Sequence, residues 1–147
     1  MLHYEEDVVK EVKRTKNMLE RAEKANNVRD KISRAYYACY HVMIAAIWLE
    51  HNLDEAAFET AHVSIAKKYK QLYSRTKKNH ISTEHDVYRV VKKWRNLRAS
   101  ADYDIFTDDF ENSSLEKTER IFQAMINFVN QHLAYIGGRL RGKVLNR

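Results

Sequence analysis

Two arginines and an acidic residue at the end of one predicted helix are the side chains best suited to chemistry. Arg95 and Arg98 lie three residues apart and Asp102 follows four residues later, so the three share one side of a helix. A guanidinium in that position can bind a phosphate through two parallel hydrogen bonds. The same residues are equally suited to an ion pair that closes a helical bundle, with Arg34 or the Tyr36 hydroxyl as a further partner.

The histidines are the other candidates for proton transfer. His62 lies in a segment that connects two predicted helices, where it is either a hydrogen-bonded structural residue or an acid/base group close to the arginines. His41 follows an apolar helical stretch, which predicts a packed and hydrogen-bonded side chain. We expect His80, His85 and His132 to lie on the surface.

No metal or cofactor is expected from the sequence patterns. The chain has neither the G-x-x-x-x-G-K-[ST] nor the G-x-G-x-x-G pattern that cradles phosphates, and its closest Glu-x-x-His spacing is the single pair Glu59 and His62. Cys39 is the only cysteine, which excludes an intrachain disulfide and a zinc site made of several thiolates. Within an apolar helix this thiol is expected to pack as a small hydrophobic group.

The charge is unevenly distributed along the chain, which carries a net charge of +6. Between Lys67 and Arg98 there are eleven Lys or Arg residues and two acids, and between Ala99 and Glu119 there are seven acids and one base. A basic stretch can bind phosphate backbones by releasing counterions, and Lys92 and Lys93 are its members closest to the arginine pair. The alternative is a solvated helix face that balances an acidic surface.

Helices must position these side chains, because residues that form turns are scarce. The 147 residues include no proline and only three glycines, all of them after residue 136. We predict an all-α, antiparallel up-and-down bundle of four long helices, with short helical pieces in the connection between the second and third. The predicted long helices cover about residues 5–25, 28–51, 82–102 and 113–136, and the short pieces cover about residues 55–60 and 63–73.

The helix ends and apolar faces follow from particular residues. A stripe of Val8, Val12, Thr15, Leu19 and Ala22 faces the core from the first helix, whereas the second is apolar nearly all round and is therefore expected at the centre. The fourth helix has a capping box, Ser113 with Glu116, and Gly137-Gly138 as its predicted C-cap. Its apolar stripe consists of Leu115, Phe122, Met125, Ile126, Val129, Leu133 and Ile136. A flanking row of Ile121, Phe128 and Tyr135 widens that face enough to suggest a homodimer.

We divide the chain into a helical domain, residues 1–138, and a basic tail, residues 139–147. The first residues are acidic and carry no apolar stretch typical of a signal peptide. The longest apolar run, Val42 to Leu49, is too short to span a bilayer. These features predict a cytoplasmic protein without a membrane partner.

Two motifs resemble a known family, HEPN (higher eukaryotes and prokaryotes nucleotide-binding), in its small stand-alone prokaryotic form. They are S-R-A-Y-Y-A-x-Y-H at residues 33–41 and R-x-x-R-x-x-A-D-Y-D at residues 95–104, with Ala61-His62 between them. The similarity extends from the first predicted helix to Gly138. It implies a helical bundle that is generally dimeric, which agrees with the prediction made from the helical pattern.

The resemblance also implies a function. Many HEPN proteins are metal-independent RNases that carry R-x4–6-H at the end of the third helix, and several are toxins paired with a nucleotidyltransferase antitoxin. In this chain Asp102, Tyr103, Asp104 and Ile105 occupy the window after the arginines, and no histidine does. Because an unperturbed Asp has a pKa near 4, it is a poor general acid at neutral pH.

The missing histidine favours RNA or nucleotide binding without cleavage, in a component of a toxin–antitoxin or defence system. The first alternative is a toxin-like RNase that uses Arg98 with a non-standard acid/base group, and the second is a structural dimer that binds a nucleotidyltransferase-type partner. The candidate binding residues are Arg34, Tyr37, Lys92, Lys93, Arg95, Arg98 and Tyr103. The candidate catalytic residues are Arg98, Asp102 and His62.

Overall fold

The computed structural model describes residues 2–55, Tyr69, residues 93–98 and residues 115–140, with side chains from residue 119 onward in the last range. Helix α1 covers His3–Lys24, α2 covers Val28–His51 and α3 covers Leu115–Arg139, while residues 93–98 form a shorter helical segment. The described ranges contain no strand. The all-α prediction is therefore confirmed for this part of the chain, in which α3 corresponds to the fourth predicted helix.

Helix α1 is amphipathic as its sequence predicts. Val8, Val12, Thr15 and Ala22 are buried, while Leu19 is partly buried against the same core. At its first turn, the Leu2 backbone N–H donates to the Glu5 carboxylate at 3.0 Å. The acidic side chains in that turn also interact favourably with the positive end of the helix dipole.

Two asparagines set the ends of α2. The Asn27 side chain accepts a hydrogen bond from the Asp30 backbone N–H at 2.9 Å, which satisfies one of the exposed amides of the first turn. Asn52 adopts the left-handed conformation with φ of 54°, and its backbone N–H donates to the Trp48 carbonyl. Asparagine tolerates this conformation better than most residues, so the helix ends where the sequence predicts.

Helix α2 lies at the centre of the described core. Its residues from Val42 to Leu49 are all buried, which for eight consecutive helical positions requires cover on every side. Helices α1 and α3 both pack against α2 and make few contacts with each other. Its central position is thus confirmed.

The directions of the helices follow from the residues that meet. Glu11 contacts His41, and Asp7 accepts a hydrogen bond from the backbone of Glu55, so α1 and α2 are antiparallel. At the other interface, Lys31 lies over the ring of Phe122, and Glu50 accepts a hydrogen bond from Tyr135. Helices α2 and α3 therefore run parallel, as the second and fourth helices of an up-and-down bundle do.

Helix α3 differs from its prediction at its end. Met125, Val129 and Ile136 of the predicted stripe are fully buried, but the helix continues through both glycines to Arg139, so Gly137-Gly138 is not the C-cap. Gly138 occupies an exposed helical position with open space around its α-carbon. Leu140, assigned to the tail, is buried and its backbone N–H donates to the Ile136 carbonyl at 3.0 Å.

The flanking row of α3 is partly covered by the chain itself. Phe128 is buried, and its ring contacts those of Tyr69, Trp94 and His132. Ile121 and Tyr135 are partly buried against the same core. Phe128 of this row is thus covered by the chain itself, whereas Ile121 and Tyr135 keep part of their surface exposed.

Cys39 is fully buried and its thiol lies 3.7 Å from the Met125 carbonyl oxygen. Burial raises the pKa of the thiol far above its ordinary value, which keeps it protonated and unreactive. The predicted packing role is confirmed.

Several predicted features lie outside the described residues: the short helical pieces within residues 56–73 other than Tyr69, the start of the third helix at Ser82, the Ser113 capping interaction and residues 141–147. Within the described ranges, every helix is too short or too polar to cross a membrane.

Candidate functional site

Arg98 lies against two tyrosines of α2. Its guanidinium carbon is 5.4 Å from the centre of the Tyr36 ring and 5.3 Å from that of Tyr37, both within the range of a cation–π interaction. Its Nη1 also donates to the Tyr37 hydroxyl at 3.5 Å. Arg98 is only 7% exposed, so most of its side chain is a packing element between the helical segment 93–98 and α2.

Arg95 adds a second positive charge to this region. Burial raises the pKa of the Tyr36 hydroxyl to about 12, although the nearby charges of Arg98 and Arg95 act in the opposite direction. Tyr36 is therefore neutral across the physiological range. Both guanidinium groups lie close enough to act on this hydroxyl, so two positive charges lie beside the tyrosines of α2.

The candidate residues differ in how much of each is exposed to solvent. Lys93 is exposed, Arg95 and Tyr37 are half-buried, and Arg98 is buried. The structure thus brings three of the sequence-derived candidates, Tyr37, Arg95 and Arg98, to one region, and Lys93 adds an exposed charge on the same helical segment. The other candidates at this end of the third predicted helix, Lys92, Asp102 and Tyr103, and the connector residue His62 lie outside the described residues.

Arg34 lines a separate polar cavity beside the turn between α1 and α2. The cavity also contains Arg21, Lys24 and the acids Glu20 and Asp30. Glu20 and Lys24 form an exposed ion pair at 2.6 Å. Since its lining includes two acids beside three basic residues, this cavity lacks the concentrated positive charge of the Arg95–Arg98 region.

A carboxylate–histidine pair links α1 to α2 one helical turn from Tyr37. The Glu11 carboxylate is almost fully buried and lies 2.7 Å from Nδ1 of His41, while its other oxygen accepts from Arg14. The His41 side chain is 19% exposed. A carboxylate that orients an imidazole is the arrangement that general acid–base catalysis uses.

The sequence predicts a hydrogen-bonded His41, which the structure confirms, but its partner was missed. Glu11 lies 30 residues away, on the buried side of a helix rich in other acids. A buried polar position between Val8 and Val12 was the available signal, because an acid next to an apolar stripe requires a partner.

The prediction of a surface position for His132 is wrong. His132 is fully buried, and its ring lies 4.2 Å from that of Phe128. Its Nδ1 lies 2.8 Å from the Phe128 carbonyl and therefore carries the proton, so Nε2 accepts from the Tyr69 hydroxyl at 2.5 Å. The i, i+4 carbonyl and Tyr69 together satisfy the ring, which makes a polar residue acceptable in the core.

The comparisons with known proteins give no relative for this arrangement: no family model, curated protein or solved structure matches the chain.

Two chemical uses remain for the residues brought together. The Arg95–Arg98 region, with Tyr37, provides cations and an aromatic ring, which suit an anionic ligand with a flat ring system. The Glu11–His41 pair provides an oriented imidazole on the same helix, and Tyr37 and His41 are i, i+4 neighbours of α2.

Proposed function

We propose that this protein binds RNA or a nucleotide, with phosphate contacts at Lys93 and Arg95 beside the Tyr37 ring. The observation that carries the proposal is the position of the Arg98 guanidinium over both Tyr36 and Tyr37. Arg98 positions the tyrosines from within, while the more exposed Arg95 and Lys93 present their charges to the ligand.

Charge and shape both support an anionic, aromatic ligand. Cations clustered beside a low-dielectric wall of tyrosines attract anions more strongly than the same charges spread over a surface. The Tyr37 ring is half-buried, and we propose that its exposed part contacts one base; base–aromatic stacking contributes about 1–3 kcal/mol in proteins that bind single strands. The net charge of +6 also attracts an anionic ligand over longer distances.

The resemblance to HEPN proteins carries the biological setting. On that basis we propose a four-helix up-and-down bundle, a homodimer, and a place in a toxin–antitoxin or defence system with a nucleotidyltransferase-type partner in the cytoplasm. The parallel course of α2 and α3 supports the bundle arrangement. Among the alternatives, a purely structural dimer would be indicated if the unmodified protein showed no RNA affinity in the experiment below.

Replacing Arg95 by glutamine is expected to weaken binding of a labelled single-stranded RNA by roughly 5- to 10-fold. One lost phosphate contact should also reduce the slope of log affinity against log salt by about 0.7. Fluorescence anisotropy at several salt concentrations measures both quantities. Arg98→Ala should weaken binding as well, through loss of the support beneath Tyr37.

Lys13→Gln is the matched control, because it removes the same charge from an exposed position on α1. Its affinity should stay within about twofold of the unmodified protein. Equal losses in Arg95→Gln and Lys13→Gln would mean that only net charge matters, and would reject the site. Since Arg98→Ala can also disturb folding, circular dichroism must accompany it, and the Arg95→Gln result decides.

RNA cleavage is a second candidate function, and the Glu11–His41 pair is the observation that favours it. An imidazole fixed at 2.7 Å from a buried carboxylate can serve as the acid/base group that the third predicted helix lacks. Its position one turn from Tyr37 places it on the helix that carries the proposed binding face.

If the protein cleaves RNA, His41→Gln is expected to lower the single-turnover rate by about 100-fold or more, the usual contribution of a general acid/base group. The assay contains EDTA and includes an oligonucleotide of the same sequence with 2′-deoxy sugars. This oligonucleotide should stay intact because it lacks the 2′-hydroxyl. His51→Gln, at the exposed end of α2, is the control. If cleavage persists in His41→Gln, His41 is not the acid/base group. If the unmodified protein binds RNA without cleaving it, binding is the function that remains.

A further inference from the structure

Three potential metal ligands meet where the first turn of α1 approaches the end of α2. They are the imidazole of His3 and the carboxylates of Asp7 and Asp54, and one ligand atom from each lies within 4.8 Å of the other two. His3 Nε2 is 3.8 Å from an oxygen of Asp7 and 3.6 Å from an oxygen of Asp54. This cluster is built from elements other than the Arg95–Arg98 region.

The course of the backbone brings these three side chains together. His3 and Asp7 are i, i+4 neighbours on α1, so their side chains project from the same side of the helix. Asp54 reaches them because the chain reverses at Asn52, whose left-handed conformation ends α2. The Glu55 backbone N–H then donates to Asp7 at 2.9 Å, which fixes the Asp7 carboxylate against the turn.

We propose that His3, Asp7 and Asp54 bind a divalent transition-metal ion of the Zn²⁺ type. Bond lengths of about 2.0–2.2 Å place tetrahedral ligand atoms roughly 3.4 Å apart, so shifts of a few tenths of an ångström would close the two measured separations around an ion. One imidazole nitrogen with two carboxylate oxygens suits Zn²⁺ or Co²⁺ better than Mg²⁺ or Ca²⁺, which prefer oxygen ligands throughout.

Burial and charge both favour a cation in this position. The Asp7 side chain is 7% exposed, that of Asp54 is 28% exposed, and that of His3 is 70% exposed. The site therefore has a buried anionic floor and an open side, through which an ion enters and water completes its coordination. Lys10 approaches the other oxygen of Asp7 only at 4.0 Å, so it offsets part of the negative charge without occupying the space between the three ligands.

The alternative to a metal ion is a protonated His3, because an imidazolium would also pair with the two carboxylates. The two alternatives respond differently to the loss of one carboxylate. An ion pair in which the His3 side chain is mostly exposed has a small energetic effect, whereas removing one of three ligands weakens a metal site strongly.

The experiment titrates untagged protein at pH 7.5 with Co²⁺, followed by its visible absorption, and then displaces Co²⁺ with Zn²⁺. The unmodified protein should bind one equivalent of either ion, and Zn²⁺ should raise its melting temperature. His3→Ala and Asp54→Asn should each weaken Zn²⁺ binding roughly tenfold or more and reduce the shift in melting temperature accordingly.

Two controls match these substitutions. His51→Ala removes an exposed histidine at the end of α2, and Glu6→Gln removes an exposed carboxylate from the first turns of α1. Both should bind Zn²⁺ as tightly as the unmodified protein. The proposal is overturned if the unmodified protein shows no saturable binding, or if binding depends on His3 but not on Asp54, since the three residues would then not form one site.

Discussion

Met125→Ala is expected to lower the free energy of unfolding by roughly 2–5 kcal/mol, the usual cost of removing a large core side chain and leaving a cavity. Met125 is fully buried on α3, and its carbonyl oxygen lies 3.7 Å from the Cys39 thiol of α2. The change therefore weakens the interface between the central helix and α3. Urea denaturation followed by circular dichroism measures the effect.

Asn130→Ala provides the comparison, because Asn130 is exposed on the same helix. It should change the stability by less than about 0.5 kcal/mol. If the two variants unfold at the same urea concentration, then α3 does not pack on α2 through Met125.

Lowering the pH from 7 to 5 is expected to cost about 2 kcal/mol of stability through His132 alone. Burial lowers the pKa of this ring to about 4 in the folded protein, whereas the unfolded chain titrates near 6.5. Between these values the unfolded state binds the additional proton. Stability is therefore complete above about pH 6.5 and falls as the pH drops toward 4.

The protonated ring is disfavoured for a structural reason. Nε2 accepts the Tyr69 hydroxyl proton, and a second proton on this nitrogen would remove that hydrogen bond and place a charge in the core. Denaturation curves measured at pH 7, 6 and 5 test the prediction before most carboxylates titrate.

His132→Gln removes the titrating group and isolates its contribution. The difference in unfolding free energy between the unmodified protein and this variant should shrink by about 2 kcal/mol from pH 7 to pH 5. A His51→Gln control, at an exposed position, should show no comparable change. A difference that stays constant with pH would show that His132 titrates alike in the folded and unfolded states.

The helices could be predicted where local chemistry determines them. Asn27 and Asn52 set both ends of α2, and a stripe of apolar residues defines the buried side of α1. At Gly137 and Gly138 the local preference for a helix end gave the wrong answer. Burial of Ile136 and Leu140 on either side of the pair holds that turn in the helix, and packing outweighs the cost of glycine.

The candidate site was predictable only in part, for a related reason. The i, i+3 spacing of Arg95 and Arg98 is a local property, and the structure places Arg98 against Tyr36 and Tyr37 of the motif at residues 33–41. The partners of His132 and His41 are Tyr69 and Glu11, at separations of 63 and 30 residues. Periodicity along the sequence carries no information about such pairs, because tertiary packing selects them.

The parallel course of α2 and α3 has a consequence for the order of folding. Helices α1 and α2 are joined by a short turn and meet through residues close in sequence, so this hairpin can form early. Docking of α3 joins residues as far apart as Cys39 and Met125, at a separation of 86 positions, and must first close that long loop. Until that happens the apolar face of α2 that α3 covers stays open to water, which makes the isolated hairpin the species most prone to aggregate.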